Sequence, residues 1–353
     1  MGDGLEKGIL ITGNMGYIGP VVVSELRALY PSAYICGLDT GFFAHCLTPP
    51  TRIPEIQLNK QYFQDIRSVE PEIFTGIDTV IHLAAISNDP IGNAFSGPTE
   101  DINYFSSVSF AKAAKNARVK NFIFASSCSI YGAGGDEPKT ENDKLDPLTT
   151  YAHSKVNLER ELQKISDESF KVTCLRFATA CGWTKRTRFD LVLNDFVLMA
   201  VKNNRIQVLS DGSPWRPLIH VKDMAAALIW AISREDKDSF LAINAGRNDC
   251  NFQIRDLANL VAKMILNTEV QIARNAAPDK RSYRVDFSLF ERMAPSNTLK
   301  FSIEDAILDL YENIKKINSD TLGLGSVLSY TRLVELKKLK ENGLLDSSLL
   351  WAR

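Results

Sequence analysis

The chain has 353 residues, 45% of them hydrophobic and 24% charged, with a formal net charge of −1. This length supports a sizeable core in one large or two interlocked domains, and the near-neutral balance gives no global field to recruit nucleic acid or membrane. Cys36, Cys46, Cys128, Cys174, Cys181 and Cys250 form no Cys-x-x-Cys pair, no charged-then-apolar leader precedes the first strand, and no apolar run reaches membrane-spanning length, so a soluble, cytoplasmic chain with reduced thiols is expected.

The chain opens with Leu10-Ile11-Thr12, then Gly13-Asn14-Met15-Gly16-Tyr17-Ile18-Gly19, an amphipathic run to Tyr30, and Ala33 to Asp39. This reads as strand, glycine turn, helix, second strand and terminal acid. Gly13 permits a sharp exit from the strand, Gly16 lets backbone N–H groups approach a pyrophosphate, and Gly19 lets the helix pack close. The helix N-terminus then faces the phosphates. Asp39, twenty residues after Gly19, is placed to accept both ribose hydroxyls of NAD and to repel a 2′-phosphate.

After a Phe-, His-, Thr- and Pro-containing loop (40–54), Ile56-Gln57-Leu58 leads to Asp65-Ile66. That pair suits either contact with adenine or a surface turn. A short helix is expected over 70–74 and a buried parallel strand over 78–85, whose small end, Leu83-Ala84-Ala85, lets the backbone pass close to the cofactor. A loop over 86–98, a long helix over 99–118 with Asn103, a strand over 121–126, a loop over 132–149, a helix over 151–166 and a strand over 172–178 follow. Six strand signals alternating with helices within about 180 residues predict an α/β doubly wound parallel sheet, a Rossmann fold.

Beyond Gly182 the pattern loosens to helices over 194–203, 222–233, 252–266 (opened by Asn251) and 303–317. Strands are expected over 205–209, 218–221, 241–245 and 283–287. The predicted organisation is a cofactor domain over 1–181, a smaller mixed α/β substrate lobe over 182–317, with some strands returning to the main sheet, and a C-terminal helical extension over 318–353. Leu333, Leu336 and Leu339 at helical spacing predict one or two amphipathic tail helices, packed on the body or on a partner subunit.

Tyr151 and Lys155 stand four apart, on one helix face. A Lys ammonium beside a phenol lowers its pKa, so Tyr151 is the candidate acid/base, with Lys155 also able to hold the nicotinamide ribose. Ser127, in Ser126-Ser127-Cys128-Ser129, is the candidate hydroxyl that polarises the substrate oxygen. Cys128 is read as inert.

With these motifs the chain resembles an extended short-chain dehydrogenase/reductase of the NAD-dependent epimerase/dehydratase family, which acts on nucleotide-diphosphate sugars. The resemblance covers about residues 7–317. It rests on the Gly-x-x-Gly-x-x-Gly turn, Asp39, Asp65-Ile66, His82-Leu83-Ala84-Ala85, Asn103, the serine segment, Tyr151/Lys155 and Trp215-Arg216 to Asp223. It implies a sugar C4 hydroxyl between Ser127 and Tyr151, Arg216 and Asn194 on the substrate diphosphate, Gln207-Val208-Leu209 against the base, and Arg281 or Arg284 as a second cation. Ser87, Ser129 and Thr179 complete the implied substrate contacts. Lys185, Arg186 and Arg188 either face substrate phosphates or an acidic sugar, the reading preferred here, or are solvated. The resemblance also implies a homodimer through the helices over 99–118 and 151–166.

Three departures from the family pattern narrow the reaction. The Asp-Glu pair of 4,6-dehydratases is replaced by Cys128-Ser129, the Cys of C3/C5 epimerases falls one residue early, and Arg-Phe-x-Asn becomes Arg176-Phe177-Ala178-Thr179. The expected activity is NAD-dependent oxidation at C4 through a 4-keto intermediate, with 4-epimerase first and 4-dehydrogenase as the alternative. A dehydratase, a keto-sugar reductase or a non-catalytic NAD-binding protein ranks lower.

Overall fold

Strands whose side chains are apolar on both faces need cover on both faces, and the first strand, Gly8-Ile9-Leu10-Ile11-Thr12, is buried throughout. A computed structural model describes residues 8–48, 52–273, 281–317 and 331–352. It places β1 (Gly8–Thr12), β2 (Ile35–Asp39), β3 (Lys60–Phe63), β4 (Ile77–His82), β5 (Asn121–Ser127), β7 (Lys171–Phe177) and β11 (Phe240–Ala245) in one seven-stranded sheet. Every pairing in it is parallel. The order is β11-β7-β5-β4-β1-β2-β3, so the winding reverses between β1 and β4, and ligands of such sheets bind in the crevice at that reversal.

Successive side chains of β1 feed opposite layers. Ile9 and Ile11 pack with Val22, Val23 and Leu26 of α1 (Gly19–Leu29) and Leu228 of α7 (Val221–Ile232). Leu10 packs with Phe110 of α4 (Ser107–Asn116) and Leu158 of α5 (Thr150–Ile165). A third cluster unites α6 (Val192–Asn203), α8 (Ile254–Met264) and α10 (Ile303–Lys316) beside β9 (Arg205–Val208), which pairs in parallel with β13 (Glu269–Ile272). There β10 (Trp215–His220) lies between β8 (Thr179–Cys181) and β12 (Asn251–Gln253).

Several predicted elements take a different form. The stretch expected as a loop over 86–98 contains α2 (Asp89–Ala94) and α3 (Ser96–Glu100). Asn88 caps α2, and Pro90 sits in its first turn, where no N–H is needed. The long helix expected over 99–118 opens with a π-helical turn, Asp101–Ser106, before α4. Ile56-Gln57 falls in a 3-10 turn, and the third strand follows it. The loop expected over 132–149 holds β6 (Ala133–Lys139), paired in parallel with β14 (Ser282–Val285). Asn251 does not cap α8: its side chain pairs with both backbone groups of Val285. A further helix, α9 (Ser288–Met293), and strand β13 had no recognised signal.

The tail packs on the body, through one helix among the described residues, α11 (Arg332–Glu341). Leu336, Leu339, Leu345 and Leu349 join the α4–α5 core. Arg67 donates to the carbonyls of Ser348 and Leu349, and Trp351 Nε1 donates to that of Thr40. No described helix is long and apolar enough to cross a membrane.

Gly19 starts α1 against the turn itself: a Cβ there would lie 2.1 Å from the Asn14 carbonyl oxygen. Gly19→Ala is therefore expected to lower stability by about 1–3 kcal/mol, the range for overpacking. A reduced urea midpoint at unchanged slope is the readout; an unchanged midpoint would show that the turn yields without cost.

Candidate active site

The crevice at the β1/β4 reversal is a cavity of about 760 Å3. Its floor is backbone. Gly13 has φ +70°, and a Cβ there would meet the Ala84 nitrogen at 2.6 Å. Gly13, Gly16, Tyr17, Ile18, Leu83, Ala84 and Ala85 all line it, and no side chain caps the N-terminus of α1 beside them. Asp39 lies at one end. Its carboxylate accepts from the Met15 and Gly41 N–H groups at 2.9 and 2.8 Å, while burial raises its pKa above the usual range. Each oxygen keeps a lone pair for a ribose hydroxyl, and an added phosphate would meet a buried anion. An uncapped helix start, a glycine floor and this half-satisfied carboxylate fit NAD.

Asp65 and Ile66 line the same end. The Asp65 carboxylate is gripped by Arg67 through both Nε and Nη2. Asn14 and Met15 do not line the cavity: the Asn14 amide pairs with Gln61, and Met15 contributes its backbone N–H to Asp39. Gly19 acts through packing alone.

Ser127, Ser129, Tyr151 and Lys155 line the other end. Ser127 ends β5, and Thr149 caps α5 while donating to Asp89 of α2 at 2.6 Å. Burial pushes the Tyr151 phenol up to about 12, opposed first by a hydrogen bond with Ser127 and then by Arg188. The expected lowering by Lys155 is not what operates. The Lys155 ammonium donates to the Ala125 carbonyl at 2.8 Å and lies 5.4 Å from the Tyr151 ring centroid. It is itself pulled down to about 7 by burial.

Cys128 is buried, donates to the Arg176 carbonyl, and has its pKa raised well above the ordinary thiol value by burial. It is a packing thiol. Ser129 Oγ is buried with no hydrogen-bond partner. Behind them Ser126 donates to Glu159, which also pairs with Arg176 at 2.8 Å, fixing the end of β5.

The implied substrate residues divide. Ser87, Thr179, Gln207, Val208, Leu209, Arg216 and Arg281 line the cavity. Arg281 pairs with Asp89 at 2.7 Å, and Arg216 stacks over Tyr283 at 5.5 Å. Arg284 stacks instead on Trp215 and does not line the cavity. Asn194 is corrected: it is fully buried outside the cavity lining. It accepts from the Gly182 N–H at 3.0 Å and donates to Tyr17 Oη at 3.0 Å and the Arg188 carbonyl at 2.8 Å. Arg186 is likewise corrected, being buried in a two-bonded pair with Glu55. Lys185 is exposed, and of the three cations only Arg188 lines the cavity, held by Asp190 at 2.7 Å and Ser87 at 2.8 Å.

Four charged lining residues were missed as site residues: Asp89, Asp190, Asp195 and Arg332. Burial, with Asp190 nearby, raises Asp195 to about 6. The neighbouring Asn-Asp pair 194–195 offered a signal of the right place but not of which residue faces in.

Comparison with known proteins agrees with this geometry. The family model described as "NAD dependent epimerase/dehydratase family" matches residues 9–246. A putative UDP-glucose 4-epimerase of Methanocaldococcus jannaschii is 24% identical over 316 residues, covering 88% of this chain and 96% of the relative. Among solved structures, the NAD-dependent NDP-hexosamine 5,6-dehydratase TunA matches with TM-score 0.76 at 23% identity, over 89% of this chain and 99% of that one. The UDP-glucose 4-epimerase of Bifidobacterium longum, solved with NAD+ and UDP, matches with TM-score 0.73 at 22% identity, over 91% and 100%.

Asn194→Ala should behave as a structural lesion. Leaving the Gly182 N–H and its other partners unsatisfied is expected to lower unfolding stability by roughly 1–3 kcal/mol, with KM for the substrate nearly unchanged. A large rise in KM at unchanged stability would return Asn194 to the substrate contacts.

Proposed function

Because the chain belongs to the NAD-dependent epimerase/dehydratase family, and is thus an enzyme whose cofactor is NAD, we propose that it is a nucleotide-sugar 4-epimerase. The observation that carries the reading is the pairing of Ser127 with Tyr151 at one end of the cavity while the next two positions hold a buried thiol and a neutral hydroxyl. Proton removal from a sugar hydroxyl needs the first pair; elimination of water needs an acid and a base that Cys128 and Ser129 do not provide.

In this reading Ser127 hydrogen-bonds the C4 oxygen and Tyr151 accepts its proton. NAD, when bound, supplies the acceptor and then the donor of the C4 hydride. Lys155, anchored on the Ala125 carbonyl, is placed to hold the nicotinamide ribose. Arg188, held by Ser87 and Asp190, favours the phenolate. Arg216 and Arg281 are assigned to the substrate diphosphate, and Gln207, Val208 and Leu209 to the edge of the base. The pairing of Arg281 with Asp89, which also accepts from Thr149 at the start of α5, would link diphosphate binding to the position of Tyr151. The reaction class is also supported by the 4-epimerase names among the relatives. Two copies are proposed to pair through α4 and α5, a reading supported by Phe105, 56% exposed on the π-helical turn before α4.

Mass spectrometry of reactions with a panel of nucleotide sugars and NAD tests the class. A new isomer of unchanged mass with no net NADH is expected. Loss of two hydrogens would replace the reading with a 4-dehydrogenase, and loss of water with a dehydratase. Tyr151→Phe is expected to bind NAD normally and to lose about 10²–10⁴ in turnover; retained turnover would remove the phenol from the mechanism. Phe105→Glu should elute as a monomer in light-scattering chromatography if the proposed pairing holds, whereas an unchanged dimer would place the interface elsewhere.

A further inference from the structure

After α11 the chain forms a tight loop. Leu345 and Trp351 make an antiparallel bridge, and the Asp346 carboxylate accepts from the Ser348 N–H at 2.8 Å and the Leu350 N–H at 2.9 Å. Leu349 is held at φ +57°, a left-handed conformation unfavourable for a leucine, while its side chain is fully buried. Such a conformation persists only where the surroundings fix it. Its result here is that two carbonyls, those of Ser348 and Leu349, meet one guanidinium: Arg67 donates to them at 2.6 and 3.0 Å.

The same guanidinium grips the Asp65 carboxylate, Nε at 3.0 Å and Nη2 at 2.7 Å, and the Arg67 N–H donates to that carboxylate at 2.9 Å. Asp101, which opens the π-helical turn, stands 3.6 Å from Nη1, and the Arg67 side chain is only 10% exposed. The loop has a second anchor in Trp351, whose Nε1 donates to the Thr40 carbonyl at 2.7 Å and whose ring lies 5.6 Å from that of Phe42. Thr40 and Phe42 follow Asp39 at the end of β2. Asp65 follows β3, which pairs with β2 so that Asp39 stands opposite Phe63. Thr40, Phe42 and Asp65 all line the cavity with Asp39. The loop over 345–351 thus spans the carboxyl ends of the two strands next to the ribose-binding acid. Arg67 has its charge answered by Asp65 and Asp101, so what it supplies is direction. A carboxylate locked by a two-bonded guanidinium has only its remaining lone pairs to offer, and these accept hydrogen bonds. On an adenine ring the exocyclic donor is the 6-amino group.

We propose that the C-terminal loop is a positioning element for the adenosine half of NAD. Through Arg67 it fixes the Asp65 carboxylate to accept from the adenine 6-amino group, and through Trp351 it fixes the Thr40–Phe42 segment beside Asp39. Arg67 and the loop touch no ligand themselves and act through Asp65. The inference needs only the cofactor, not the epimerase reading, and survives if the reaction class proves different.

The test is calorimetric titration of the full-length, nucleotide-stripped protein with NAD and with nicotinamide hypoxanthine dinucleotide, in which a carbonyl replaces the 6-amino group. The wild type should prefer NAD roughly ten- to a hundredfold, because the analogue turns an acceptor toward the Asp65 carboxylate. Asp65→Ala should abolish that preference. Asp346→Ala, an exposed change outside the cavity lining, releases the N–H groups that shape the loop. Arg67→Lys keeps the charge but cannot span a carboxylate and two carbonyls together. Both should cut the preference at least about threefold by weakening NAD, with the analogue within about twofold. Trp351→Ala, at a residue 44% exposed, frees the second anchor and should weaken both dinucleotides, NAD the more, so a loop variant remains if Asp346→Ala does not fold. A general loss of stability would weaken the two dinucleotides alike, and that outcome in Asp346→Ala would overturn the proposal. So would a preference unchanged in both Asp346→Ala and Trp351→Ala, or one that survives in Asp65→Ala.

Discussion

The close approach of two backbones, at Gly13 and Ala84, is the constraint on which the rest of this molecule depends. With a Cβ at position 13 standing 2.6 Å from the Ala84 nitrogen, β1 and β4 would have to part at their carboxyl ends. The contact is stitched on both sides. The Leu83 N–H reaches the Thr12 carbonyl and the Ala84 N–H the Thr12 hydroxyl, while the same hydroxyl meets His82, whose other ring nitrogen meets Ser107 of α4. His82 stays neutral there because burial lowers its pKa to about 3. The floor of the cavity is thus tied to the helix layer beneath it, and Asp39 is aimed by the Met15 N–H of the same turn.

Features that depend on a few neighbouring residues were legible in the sequence. The glycine turn and Asp39 are set by one strand–turn–helix unit, and Tyr151 and Lys155 share a helix face because of a four-residue spacing. The doubly wound sheet was legible because strands buried on both faces read as continuous apolar runs. The helices at 89–100 were not, because Pro90, Gly92, Gly97 and Pro98 read as loop residues. Here Asn88 supplies a cap and Pro90 falls where a helix tolerates it.

Residues whose role is fixed by distant partners were misread. Arg186 carries the same chemistry as Arg188 and stands two positions away, yet Glu55, 131 residues earlier, takes it out of the cavity. Asn194 is claimed by Tyr17, 177 residues earlier, and by Gly182. Nothing local distinguishes an asparagine that grips a phosphate from one that grips a turn. Arg332 is the converse case. A surface-like Arg beside Leu333 in a lysine-rich tail reads as solvated, and only the packing of Leu336 and Leu339 into the body brings it to the cleft.

The distribution of charge along the cavity bears on how it can hold its anionic cofactor and the anionic substrate proposed for it. The carboxylates are not free to repel them: Asp39 is occupied by two backbone N–H groups, Asp89 by Arg281 and Thr149, and Asp190 by Arg188. Asp195, without such a partner in the lining, is the one whose burial raises it to about 6, so protonation lowers the cost of its position. Lys155, Arg188, Arg216, Arg281 and Arg332 all line the cavity, and Arg188 acts on the Tyr151 phenol to favour its ionised form. Near that phenol the hydroxyl of Ser129 is buried without a partner, and it is neither an acid nor a base strong enough to expel a leaving group. Proton abstraction at one oxygen is the chemistry proposed for this pair of hydroxyls, Ser127 and Tyr151.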